Sequence, residues 1–343
     1  VIKNSYHILS LGCAKNTVDS ESMALILAQA GLRRLEEPDQ AQFVIVNTCG
    51  FIRPAQDESL HLLQQLAAGK RKNQYLIAAG CLSERLKDSL LSETRGVDGV
   101  FGTRRWMDIL QVIQKIRALS AGEGPYVHFP AQFIDEDQAG DVPRVAVQGA
   151  SAYLKIADGC RHRCAFCAIP LIKGPQQSRP VEKVVEDARL LQEQGVREIN
   201  LIAQDSTGYG LDLGLSEGLS VLLEKLLPAV PDVPWIRILY AFPGSLSPRL
   251  IDLMAENPQI LPYIDIPLQH ADPDILRAMH RPANMDWVHS TLQTLRSRIP
   301  GIALRSTFIV GYPGETDEKF KVLLDFLREV QLDHVGAFTY SFE

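Results

Sequence analysis

No apolar run in this 343-residue chain approaches the roughly 20 residues that a membrane-spanning helix needs; stretches such as 23–28 stop far short of it. The opening VIKNSYHILS lacks the basic, apolar and small-residue zones of a secretory signal. Low-complexity tracts and short-period repeats are missing too. There is no surplus of positive charge: 35 Lys and Arg stand against 41 Asp and Glu, a formal charge of −6, which argues against broad non-specific binding to nucleic acid. These absences together predict a cytoplasmic protein without a membrane partner. Cysteine is scarce at six residues, and in a compartment that keeps thiols reduced those six point to metal or catalysis rather than to disulfides.

What is present is the composition of a folded globular protein, 46% hydrophobic and 22% charged. At about 150 residues per domain the length predicts two domains. Short apolar runs at residues 7–11, 43–47 and 75–79 alternate with helix-length segments at 17–30 and 55–68, the pattern of βαβ units around a parallel sheet. A further helix at 106–118 leads into Gly- and Pro-punctuated sequence. The reading is therefore an N-terminal parallel-sheet α/β domain over 1–120 and a linker over 121–145. A second βα series over 146–343 has strands at 152–156, 199–203, 236–240, 264–267, 304–310 and 335–340. Six βα units are fewer than the eight of a closed barrel, so a partial, open TIM-like barrel is expected, with functional residues at the C-terminal ends of its strands.

The sharpest local signal is Cys160-Arg161-His162-Arg163-Cys164-Ala165-Phe166-Cys167, three thiols in one loop after the first barrel strand. A four-iron cluster normally takes four cysteines, so three would leave one iron open to a ligand. The alternative is a structural zinc site completed by His162 or a distant residue, although zinc usually takes two C-x2-C pairs. Cys13, Cys49 and Cys81 each follow a strand; in one parallel sheet all three emerge at its C-terminal edge, where open α/β sheets bind ligands. The adjacent Gly12, Gly50 and Gly80 suit loops that turn closely around a group.

The C-x3-C-x-aromatic-C triplet resembles the radical S-adenosylmethionine superfamily, and the preceding three-cysteine domain resembles its methylthiotransferases. Leu11-Gly12-Cys13-Ala14-Lys15-Asn16, Asn47-Thr48-Cys49-Gly50-Phe51-Ile52 and Ala203-Gln204-Asp205-Ser206-Thr207-Gly208-Tyr209-Gly210 look like the RimO branch. Lys15 and Asp205 separate it from the sister branch, MiaB, which acts on isopentenyl-adenosine in tRNA. The chain departs from the pattern at Lys173 and Gln177, where relatives commonly carry Arg. The resemblance implies a radical SAM fold and a transferase with two 4Fe-4S clusters, one on Cys160, Cys164 and Cys167 and one on Cys13, Cys49 and Cys81. It implies S-adenosylmethionine as both methyl and radical source, and methylthiolation of an aspartate β-carbon in ribosomal protein S-twelve, free or in the small ribosomal subunit. An electron donor such as flavodoxin or ferredoxin and a sulfur source are implied as partners. The resemblance also implies a small C-terminal β-domain, the TRAM domain, which is not expected within these 343 residues.

Candidate residues for holding S-adenosylmethionine are Gln204, Asp205, Arg305 and Gly311, all expected at the barrel mouth. Gly311 and Gly314 also suit a plain turn before a helix capped at Thr316 with Asp317 and Glu318 in its first turn. His270 reads as a loop histidine with a hydrogen-bonding role rather than a ligand. Tyr209, Tyr240 and Tyr340 read as core more than as lining, and Lys70-Arg71-Lys72 as a solvated loop. No general-base dyad or nucleophile elbow is found. A non-enzymatic zinc scaffold is the competing reading from another class.

Overall fold

The computed structural model describes residues 1–120, 123–130 and 142–343. It divides into two compact units: Val1–Ala146 with Ala168–Gly174 and Glu343, and Val147–Cys167 with Pro175–Phe342.

The first unit is a six-stranded parallel sheet in the order β2-β1-β3-β4-β5-β6. Its strands are β1 (Ile2–Ser10), β2 (Arg33–Arg34), β3 (Ala41–Thr48), β4 (Tyr75–Gly80), β5 (Gly99–Phe101) and β6 (Tyr126–His128). Both faces are covered, which is why the inner strands read as unbroken apolar runs. Along β3 successive side chains alternate: Phe43 and Ile45 join a core with Met23 and Leu27 of α1 (Ala14–Gln29), whereas Val44 and Val46 join one with Leu63 of α2 (Arg53–Ala68). Leu82 of α3 (Cys81–Leu86) and Leu90 of α4 (Leu90–Glu93) belong to the second of these cores. Ile109, Val112, Ile113 and Ile116 of α5 (Ile109–Ala118) fall on one helical stripe and belong to the first.

The first unit runs to Ala146 rather than stopping near 120. Tyr126–His128, inside the expected linker, pairs with β5 and forms the edge of the sheet. The rest of that linker expectation, residues 121–122 and 131–141, lies outside the described residues.

In the second unit β7 (Val145–Gln148), where the unit boundary falls, lies beside β8 (Ser151–Lys155). A two-residue strand, β9 (Ala157–Asp158), pairs antiparallel with β10 (Gln177–Ser178); the short α6 (Ile169–Ile172), between them in the chain, belongs to the first unit. The series continues as α7 (Val181–Glu193), β11 (Glu198–Ile202), α8 (Gly218–Ala229), β12 (Trp235–Ile238), α9 (Pro248–Glu256) and β13 (Tyr263–Asp265). It ends with α10 (Pro273–Ala278), α11 (Met285–Arg298), β14 (Ala303–Val310), α12 (Asp317–Val330) and β15 (His334–Thr339). β8, β11 and β12 pair in parallel, as do β13, β14 and β15. Backbone bonds join the sets: Ile236 N–H to Gln259 O at 2.8 Å, Leu261 N–H to Ile236 O at 2.9 Å and Ala241 N–H to Asp265 O at 2.8 Å. Six parallel strands in chain order make the partial barrel that the sequence predicts.

Gly80 shows how tightly the first sheet's edge is built. Its φ of +95° lies in the left-handed region, and a Cβ there would sit 2.4 Å from Asn47 Oδ1 and 2.6 Å from Thr48 O. Gly80→Ala therefore costs both backbone strain and a clash, about 1–3 kcal/mol, or several degrees of melting temperature for a unit of this size. Thermal unfolding followed by circular dichroism checks this; an unchanged midpoint contradicts it.

Candidate functional site

Parallel pairing sets β1, β3 and β4 side by side, so the loops that carry Cys13, Cys49 and Cys81 leave the same edge of the sheet. The order β2-β1-β3 places the reversal of strand order between β1 and β3, the switch point at which such sheets bind ligands. Gly12, at φ +87°, lies so close to Cys49 that a Cβ would be 2.7 Å from its Sγ; the backbone turns directly over that thiol. All six cysteines of the chain are free thiols.

Asn16 ties the three loops together. It is 1% exposed, and its Nδ2 donates to Leu11 O and Thr48 O, both at 3.0 Å. Its Oδ1 accepts from Cys81 Sγ at 3.5 Å, and its own carbonyl accepts from Asn47 Nδ2 at 2.8 Å. Ser59 fixes the middle loop, accepting from Cys49 N at 3.0 Å and donating to Cys49 O at 2.9 Å. The motif around Cys13 contains Asn16, but its part in joining loops 32 and 65 positions away is visible only in the fold.

Cys81 is buried with Ala168 and Ile172, which belong to the segment right after Cys167. Burial pushes its thiol up to about 12, against the opposing pull of the Lys173 ammonium. Burial also raises Cys49. Lys173 Nζ pairs with Asp19 at 2.9 Å, and Arg144 pairs with the same carboxylate at 2.6 Å, all with side chains 2% exposed. Lys173, one of the two departures from the family pattern, thus lies inside the first unit beside Cys81 rather than on a surface for substrate. Gln177, the other, sits in β10 opposite Asp158.

In the second unit the loop of Cys160, Cys164 and Cys167 is bracketed by the β9–β10 pair. The turn after α10 grips it: Ala165 N–H donates to Met279 O at 3.0 Å, His280 Nδ1 meets Arg163 O at 3.1 Å, and Arg281 Nη1 donates to Cys164 Sγ at 3.7 Å. Phe166, the aromatic of the triplet, packs against Ile275, Met279 and Tyr312. Burial raises the Cys160 thiol, Asp205 and Cys164 add to the rise, and Arg281 opposes it. His162 Nε2 is held by Asp205 Oδ2 at 2.7 Å, and its ring stacks on Phe242 at 3.5 Å and 4°. That nitrogen is committed to the carboxylate, which fixes the orientation of the ring. Among the described residues no three Cys, His, Asp or Glu are drawn together so as to hold a single metal ion, as a zinc site with bonds near 2.3 Å requires.

The barrel-mouth candidates divide. Gln204 donates from Nε2 to Asp158 at 2.8 Å, while its buried Oε1 has no hydrogen-bond partner among the described residues. Asp205 is 3% exposed, and its oxygens already accept from Thr207 at 2.6 Å and Gly208 N–H at 3.1 Å as well as facing His162. It holds the cysteine loop rather than reaching into open space. Arg305 pairs with Asp265 at 2.9 Å and keeps 37% of its side chain exposed. Gly311, at φ +74°, donates its N–H to Glu315, whose other oxygen lies 2.9 Å from Nε2 of the fully buried His270. Asp272 N–H donates to His270 Nδ1 at 2.9 Å, so Nε2 carries the proton and donates to Glu315. His270 therefore supports the turn, as its sequence context suggests. Thr316 caps α12, accepting from Lys319 N–H. Tyr209 is buried, with its hydroxyl on Arg179 O at 2.7 Å; Tyr340 packs edge-on against Tyr312.

The model of the radical SAM superfamily matches residues 154–327, and that of an uncharacterized protein family, UPF0004, matches 5–102. The chain is similar to proteins named ribosomal protein uS12 methylthiotransferase RimO. It is 45% identical to that of Roseiflexus sp. over 98% of this chain and 75% of the relative. For Herpetosiphon aurantiacus the identity is 46% over 98% and 77%, and for Synechocystis sp. 43% over 96% and 73%. Among solved structures it resembles the radical S-adenosylmethionine methyltransferase TsrM from Kitasatospora setae, with cobalamin and a 4Fe-4S cluster bound. That likeness has a TM-score of 0.67 at 15% identity over 98% of this chain and 75% of the other. The cobalamin-dependent radical enzyme OxsB follows at 0.63 and 13%, over 94% and 51%. These structural likenesses are of fold.

Only a thiolate reacts with an alkylating agent, and a thiol pushed to about 12 is ionised in only about one molecule in 10^4 at pH 8. In metal-free folded protein, iodoacetamide at pH 8 is expected to label the exposed Cys13 at least about a hundredfold faster than Cys81. Peptide mass mapping over time checks this; equal rates contradict the buried, neutral state of Cys81.

Proposed function

This chain belongs to the RimO family of radical S-adenosylmethionine methylthiotransferases, and on that premise we propose that it converts C–H to C–SCH3 at the β-carbon of an aspartate in ribosomal protein uS12. The observation that carries the reading is that the first unit, and not only the second, presents three thiols at one edge of a parallel sheet with a single asparagine joining their loops. A methyltransferase or a simple radical hydrogen abstraction needs no second set.

Cys160, Cys164 and Cys167 would hold one 4Fe-4S cluster and Cys13, Cys49 and Cys81 the other; three thiols each fit a cluster with one iron left open to a ligand. When bound, the clusters and S-adenosylmethionine supply a low-potential electron, a carbon radical, a methyl group and the sulfur that is transferred. The protein's own residues bind, orient and enclose. Asn16, Ser59 and Gly12 keep the first three thiols in register. Ala168 and Ile172 shield Cys81 from water. Asp205 orients His162, and with Met279 and His280 it fixes the loop of the second set.

For S-adenosylmethionine the candidates are Gln204, whose Oε1, without a partner among the described residues, is an acceptor for an ammonium group, Arg305, a half-buried cation that also pairs with Asp265, and the Gly311 turn. Asp205 serves that ligand at one remove, through the loop it holds. We place the reaction in the cytoplasm, with a flavodoxin- or ferredoxin-like electron donor and a separate sulfur source as partners. Among the described residues no helix is long and apolar enough to cross a membrane.

Anaerobic incubation of reconstituted protein with reductant, S-adenosylmethionine, a sulfide source and either uS12 or tRNA bearing isopentenyl-adenosine tests the reading. Mass spectrometry is expected to find one methylthio group gained on the aspartate-bearing peptide and none on the tRNA. Gain on the tRNA alone overturns the choice of substrate, and no cleavage of S-adenosylmethionine overturns the chemistry.

A further inference from the structure

Arg281 stands out among the cations of the second unit. It is 9% exposed, yet among the described residues its ionic partner is no carboxylate. Its Nη1 donates to Cys164 Sγ at 3.7 Å, its Nη2 to Pro267 O, and its buried Nε has no hydrogen-bond partner. The guanidinium lies over the Phe242 ring, 4.2 Å from the centroid, and the same ring stacks on His162, which Asp205 holds. A buried charge without a counter-charge costs several kcal/mol, so a fold that keeps one here has its compensating charge elsewhere in the site. The sulfur beneath it is the group that acquires negative charge.

We propose that Arg281 sets the reduction potential of the cluster held by Cys160, Cys164 and Cys167, as a positioning residue acting through the Cys164 sulfur. The proposal rests on the functional reading above and deepens it. Reduction adds one electron, taken from an external reductant, and breaks no bond; the added negative charge develops beside a fixed, desolvated cation. Hydrogen bonds to cluster sulfurs and nearby charge raise cluster potentials. A guanidinium pinned by Pro267 O and Phe242 pays little reorganisation when that charge arrives. Removing the charge makes the cluster harder to reduce while leaving its ligands intact.

The test is a redox titration followed by electron paramagnetic resonance, on full-length protein carrying Cys13, Cys49 and Cys81→Ala so that one cluster remains. Arg281→Met keeps apolar contact with Phe242 and loses the charge. At a fixed potential the ratio of reduced to oxidised cluster is expected to fall about tenfold, equivalent to about 59 mV for one electron, with iron and sulfide content unchanged. Arg281→Lys, which keeps the charge without the planar fork, is expected to fall between Arg281→Met and the parent. An Arg281→Met curve that overlays the parent's overturns the proposal. Should Arg281→Met take up no iron, Arg281→Gln, neutral but able to donate, is titrated in its place; loss of iron in both assigns Arg281 to holding the loop and also overturns it. A parent without iron and sulfide overturns the functional reading and this proposal with it, a result distinct from an unshifted potential.

Discussion

Parallel pairing is the constraint on which the rest of the structure depends. A strand in a parallel sheet cannot turn back on its neighbour, so every loop that leaves its C-terminal end emerges at the same edge. In the first unit this delivers Cys13, Cys49 and Cys81 from adjacent strands; in the second it puts the cysteine loop, Gln204 and the Gly311 turn at the ends of β8, β11 and β14. Nothing in the spacing of the first three cysteines along the chain brings them together. The shared polarity of β1, β3 and β4 does, and Asn16 then sets the remaining distances.

The two sites manage charge in related ways. Each buries a cation close to a cysteine: Lys173 near Cys81, anchored on Asp19, and Arg281 on Cys164, anchored on Phe242 and Pro267. Without metal, burial favours the neutral thiol of Cys81, and the buried Arg281 guanidinium has no carboxylate beside it among the described residues. With thiolates gathered around iron the balance reverses, because each buried cation then faces negative charge in a medium that screens it weakly. A buried Arg without a carboxylate partner, as Arg281 is among the described residues, is thus a sign of what the site is built to hold.

Much of this was legible in the sequence, for physical reasons. Inner strands such as β3 and β4 are buried on both faces and announce themselves as apolar runs. β2, β5 and β6, of two or three residues, do not, and β6 hid in the Gly- and Pro-rich stretch taken as linker. The position of Cys13, Cys49 and Cys81 at one sheet edge was legible because each follows a strand. The remaining site residues divide by how local their partners are. His270 and the cap at Thr316 act on near neighbours and read correctly. For Asp205 the position at a strand end is visible in the sequence, whereas its pairing with His162, 43 positions away, is not. Arg281, 117 positions from Cys164, and Lys173, 154 from Asp19, leave no trace in spacing. Lys173 entered the sequence reading only as a departure from a family pattern, and its place beside Cys81 needed the fold.

The central claim is that the chain carries two independent three-cysteine clusters, one in each unit. Iron and sulfide content of anaerobically reconstituted protein, compared with a variant in which Cys13, Cys49 and Cys81 are all Ala, tests it most directly. The account predicts about eight irons falling to about four, with matching sulfide. About four in both proteins would show that the first three thiols hold no cluster, and zinc without sulfide would contradict the account altogether.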